Sequence, residues 1–86
     1  MTNETILRAS EASGYSVETI LGRDRHLPIC KVRFAIMAAL RRNGDKLEYI
    51  ACVLNRHFDT VRYGLREAEM WSRRDPQFRE FMERIA

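Results

Sequence analysis

Residues 47–69 read LEYIACVLNRHFDTVRYGLREAE. The apolar residues Ile50, Ala51 and Leu54 recur at helical spacing, which predicts a short helix from Leu47 to Leu54. Asn55 suits a tight turn. A longer helix then begins near His57 or Phe58, turns Val61, Leu65 and Ala68 inward, and runs to about Arg73. A small residue such as Ala51 lets two helices cross closely. This order of elements is how a helix-turn-helix looks in sequence. The outer face of the second helix then presents Asp59, Thr60, Arg62, Tyr63 and Arg66. Carboxylate, hydroxyl, guanidinium and phenol groups on one helix are equipped to meet base edges in a major groove. The N-terminus of such a helix also favours a phosphate oxygen.

The sequence on either side punctuates into further short helices. Thr2 or Asn3 can cap a first helix carrying Ile6, Leu7 and Ala9, and Gly14 ends it. Ser16 caps a second, with Val17, Ile20 and Leu21 apolar, which stops at Gly22. A basic loop follows. Pro28 sits at or just before the first turn of a third helix that runs to about Arg42. Val32, Ala35, Ile36, Ala39 and Leu40 share one face of it, while Arg33 and Arg41, eight apart, lie close to one face. Asn43-Gly44 is a stop signal. Asp45 and Glu48 have the spacing of a capping box for the fourth helix. Asp75-Pro76 restarts the chain into a last helix with Phe78, Phe81, Met82 and Ile85 as its stripe. The expected fold class is all-α, about six short helices in a single domain spanning 1–86, with no strand.

Eighty-six residues suffice for one small domain. The net charge of +3 is mild, but its distribution is uneven. Residues 1–22 hold one basic against three acidic groups, residues 23–66 hold ten against four, and residues 67–86 hold four against five. A basic centre between near-neutral ends points to an anionic partner, with nucleic acid first. No apolar run approaches the roughly 20 residues of a membrane span, and no signal-peptide core is present. Cys30 and Cys52 lie in apolar periodic stretches and read as buried thiols of a reducing cytoplasm, not as a disulfide framework. His26 and Cys30 are two ligand types without the further ligands a metal site needs. No cofactor, nucleotide or metal is expected, and no catalytic constellation is visible. Trp71 is expected to pack between the fifth and last helices.

The chain resembles the C-terminal DNA-binding domain of DnaA, the bacterial chromosomal replication initiator, from about Ile6 to Ile85. Ser16–Arg25, SVETILGRDR, resembles the family's SVEDLL followed by a basic stretch. KVRFAIMAAL at 31–40 is similar to its R-P-R-Q-x-A-M-x-L-A helix, and LEYIA at 47–51 to L-P-E-I-G. RHFDTV at 56–61 stands where the family signature R-D-H-T-T-V stands, and D-P-x-F at 75–78 has a counterpart. One residue is lost at the turn, where Asn55 replaces a Gly-Gly pair.

The resemblance implies a DnaA C-terminal-domain, Trp-repressor-like fold that binds double-stranded DNA. It places the family's minor-groove arginine on Arg25 and its backbone-contacting basic positions on Arg23, Arg33 and Arg41. Arg56 and Thr60 keep their family identities. Lys31 and Lys46 complete the basic positions expected at the duplex. The departures are His57, Phe58 and Asp59, which stand where the family reads bases through Asp-His-Thr. Phe58 can make no hydrogen bond to a base edge; Asp59 can accept from a cytosine amino group but repels phosphate. A basic family position on the same helix becomes Glu67. The implied function is sequence-specific DNA binding with altered preference. The protein would be a cytoplasmic, nucleoid-associated regulator of replication initiation or transcription, without the family's ATPase module and of chromosomal or mobile-element origin. The alternative is a protein-interaction module that reuses the fold to bind a replication-initiation protein, with Phe58 and Trp71 as exposed anchors.

Overall fold

A computed structural model describes residues 2–86. It contains six α-helices and, among the described residues, no strand: α1 Glu4–Ser13, α2 Val17–Leu21, α3 Leu27–Arg42, α4 Leu47–Leu54, α5 Phe58–Arg74 and α6 Pro76–Ile85. No helix is long and apolar enough to cross a membrane.

The helix starts follow local side-chain chemistry. Asn3, Ser16 and Asp75 each accept a hydrogen bond from a backbone N–H of the turn they open. Pro28 lies in the first turn of α3 and Pro76 opens α6, where a missing N–H costs nothing. Gly14 ends α1 with a φ of 82°. Asn55 ends α4 in the left-handed region at φ 55°, and the amides of Asn55 and Arg56 fold back on the carbonyls of Cys52 and Ala51.

The expected capping box at Asp45 and Glu48 does not form. Lys46 occupies the N-cap of α4 and makes no side-chain cap bond. Asp45 is used to close α3 instead. Its amide donates to Leu40 O while that of Gly44, at φ 94°, donates to Arg41 O.

Helix α3 is the axis of the molecule and packs on all five other helices. Ile36, Met37, Ala39 and Leu40 are almost wholly buried on it, against Ile6, Ile20, Ile50, Leu54, Val61 and Ile85 from its neighbours. Gly64 makes the α3–α5 contact close: a Cβ there would overlap the Met37 sulfur and crowd Phe34. Leu7, an apolar position of α1, is 49% exposed, because the inward face of α1 is Thr5, Ile6 and Ala9. Two apolar expectations are corrected. Cys52 is exposed on the side of α4 facing away from Ile50, Ala51 and Leu54, and Cys30 is only half-buried. Trp71 does pack against the core, half-buried, and its indole Nε1 has no hydrogen-bond partner among the described residues.

Candidate nucleic-acid interface

The second of two helices joined by a three-residue connection, Asn55-Arg56-His57, carries the candidate surface. His57 caps α5 through its ring, Nδ1 accepting from the Asp59 amide at 3.1 Å. That ring nitrogen also lies 3.6 Å from the Asp59 carboxylate. Val61, Gly64 and Ala68 are buried against the core. The periodicity leaves Asp59, Arg62, Tyr63 and Arg66 exposed, with Thr60 exposed on the flank nearer α3.

That flank borders an open groove of about 580 Å³. Arg23 and Arg25 line it from the loop, Thr60, Tyr63 and Glu67 from α5, and Leu27, Phe34 and Met37 from α3. Tyr63 is 50% exposed and its ring meets Phe34 edge-on at 6.0 Å. The structure therefore brings the sequence-predicted Arg23 and Arg25 together with Thr60 and Tyr63. Leu27 was not among the predicted site residues and only geometry places it there; Glu67, which stands at a basic family position, joins the groove as an acidic wall.

The loop between α2 and α3 is held in shape by two arginines that the sequence had marked for DNA. Arg33 is 5% exposed. Its Nε donates to Ile20 O at 2.7 Å, one Nη to Thr19 O and Gly22 O, the other to Asp24 O and, at 3.8 Å, to the Cys30 sulfur. All five N–H donors are thus engaged, and Arg33 is corrected from a backbone-contacting residue to an internal one. Arg56 is half-buried and donates to the carbonyls of Leu21, Gly22, Leu54 and Asn55. Burial first, then the neighbouring Arg33 and Arg23, push its pKa below the usual arginine value. It fastens the α4–α5 connection to the basic loop, and its half-buried side chain also lines the groove. Within the loop, Asp24 accepts from the His26 amide at 2.9 Å and the His26 ring at 2.6 Å. These bonds hold the Asp24 carboxyl below its ordinary value. An acceptor two residues before a backbone donor was a signal for this turn in the sequence.

The remaining predicted residues lie elsewhere. Lys31 points away from the groove: its Nζ is 2.8 Å from Asp75 Oδ2 and sits over the Trp71 ring at 4.0 Å. Its position one residue after Cys30 puts it on another face of α3, and the cation expected at the duplex is engaged in a tertiary ion pair. Arg41 is exposed at the end of α3, with Nη1 donating to Asp45 O at 3.0 Å. It borders Leu65 and Glu69 on the other flank of α5. Lys46 is exposed at the start of α4. Phe58 is 40% exposed, so of the two aromatic anchors expected for a protein partner only Phe58 is presented to solvent. Among the described residues no group of three or more His, Cys, Asp or Glu has the arrangement of a metal site. Compared with known protein families, curated proteins and solved structures, the chain matches none.

Proposed function

We propose that this protein binds double-stranded DNA as a helix-turn-helix module, in the manner of the DnaA C-terminal domain it resembles. Helix α5 enters the major groove while the loop at 22–26 lies along the adjacent minor groove with Arg25 inserted. The observation that carries this reading is one groove shared by Arg23 and Arg25 of the loop and Thr60 and Tyr63 of α5. Loop cations supply phosphate attraction and register, and the helix face supplies contacts to base edges. Binding, not catalysis, is the activity, and regulation of replication initiation or transcription is the role such a module serves. The base-reading positions differ from those of the family, so the preferred site differs too.

The test is selection from a random duplex library at low and at high salt. A motif that survives moderate salt is the expected result. Arg25→Ala and Thr60→Ala should each weaken binding to that motif by roughly 1–3 kcal/mol. Equal affinity of both variants and wild type would overturn the contact assignment; enrichment of nothing at either salt would overturn DNA binding itself.

A further inference from the structure

The exposed N-terminal end of α5 brings three side chains together, a stacked pair of rings and a cation. The His57 and Phe58 rings lie 4.9 Å apart with an interplanar angle of 28°. The Arg62 guanidinium carbon lies 5.2 Å from the centre of the Phe58 ring. Residues four apart share a helix face, and long helical side chains lean toward the N-terminus, so Arg62 lies back over the first turn. Unlike Arg33 and Arg56, Arg62 is exposed and makes no hydrogen bond to another described residue.

A guanidinium lying on an aromatic face is attracted to the ring while its edge donors stay free. Those donors form a rigid planar fork. The fork matches the O6 and N7 acceptors that guanine shows in the major groove, as it also matches the paired oxygens of a phosphate, so its place on the helix decides between them. The first turns of a recognition helix are the part that meets base edges. We infer that Arg62 is the guanine-reading side chain of this surface, and that Phe58 is a positioning residue that holds its guanidinium over the ring. This rests on the DNA-binding reading above. It gives the aromatic side chain at position 58, which can make no hydrogen bond to a base, a part in specificity.

The experiment compares wild type, Arg62→Ala, Arg62→Lys, Phe58→Leu and Phe58→Tyr in duplex selection, followed by titration of the selected site with 7-deazaguanine, which lacks N7. Arg62 and Phe58 are surface residues, and circular dichroism checks that each variant keeps its helices. Wild type is expected to enrich one guanine that Arg62→Ala no longer selects. Removing N7 at that guanine should weaken wild type about 10- to 100-fold and leave Arg62→Ala unchanged. Arg62→Lys should keep the salt dependence and lose most of the guanine preference. Phe58→Leu should reduce the preference several-fold, and Phe58→Tyr should restore it. The inference is overturned if Arg62→Ala selects the same guanines. It is equally overturned if 7-deazaguanine at every guanine leaves wild type unaffected. A change in overall affinity and salt slope without a change in base preference would make Arg62 a phosphate contact and overturn it too. Failure of wild type to bind any duplex would overturn the DNA-binding reading, and this inference with it; binding with an unchanged guanine preference in Arg62→Ala overturns this inference alone.

Discussion

Arg33 shows what one buried side chain can contribute to a domain this small. Helix α2 has five residues, too few to be stable alone; the Gly22 amide caps its Thr19 carbonyl, and that of Ile20 has no backbone donor. The Arg33 fork spans those carbonyls and continues to Gly22 and Asp24, so one cation closes both the helix end and the loop. Arg33→Ala would leave the carbonyls of Ile20 and Asp24 without a donor, while Thr19 O keeps the Gly22 amide and Gly22 O keeps Arg56. Hydrogen bonds to charged groups are worth more than neutral ones, so the expected loss is about 3 kcal/mol or more. A domain of this size has on the order of 4–13 kcal/mol in total. Arg33→Lys keeps the charge but not the planar fork, and should recover less than half of the loss. Arg41→Ala, at an exposed position, should stay within about 0.5 kcal/mol. Urea denaturation midpoints at constant slope decide it, and a loss under about 1 kcal/mol for Arg33→Ala would refute the role. The sequence contained this distinction. Arg33 stands four after Ile29 and three and four before Ile36 and Met37, all buried. Arg41, eight residues on, is turned by about 80° around the helix, enough to move from core to solvent.

At the scale of elements, the beginnings and ends of the helices were largely legible because they are set by chemistry within a few residues. Asn3, Ser16, Asp75, Gly14 and Asn55 act where their side chains or left-handed backbones predict. The start of α4 was misread for a reason of the same kind. A stop at Asn43-Gly44 needs one more amide to satisfy the carbonyl of Leu40, and Asp45 provides it. The residue with the better capping side chain is thereby used one position too early, and Lys46 is left at the N-cap without a bond to make. Lys46→Ser should supply the missing acceptor and stabilise the protein by about 0.5–1 kcal/mol. A positive charge also leaves the positive end of the helix dipole in that variant, which acts in the same direction. Thermal denaturation of the two proteins measures it, and an unchanged or lowered midpoint would refute it.

The candidate groove belongs to the whole molecule: Arg23, Arg25, Thr60 and Tyr63 were marked in the sequence, but the cleft between them was not legible. It exists because Gly64 lets α5 lie close on α3, and a glycine inside a helix reads in sequence only as a weakness. The count of ten basic groups in residues 23–66 was legible, but not that Lys31, Arg33 and Arg56 are each bonded to partners within the protein. Lys31 ties three helices together. From α3 it reaches Asp75, which accepts from Gln77 N at 3.0 Å to cap α6, and it covers the Trp71 ring on α5. The Lys31 hydrogen bond is the first reason that the Asp75 carboxyl titrates below its ordinary value of 3.8; the Phe78 and Gln77 amides add to it. A carboxyl depressed by folding stabilises the folded state fully above its unfolded value. That contribution is lost as the pH falls below 3.8 toward the lowered one, where the folded carboxyl takes up its proton. Asp24, also depressed, titrates in the same direction. Stability should therefore decline as the pH drops from 5 to 3. Asp75→Asn keeps a capping oxygen for α6 but removes the ion pair with Lys31. It should be less stable than wild type at pH 6 and lose less than wild type between pH 5 and 3, so that the two curves converge in acid. Denaturation of both proteins across that range is the check, and parallel curves would show that Asp75 holds the helices through its cap and not through its charge.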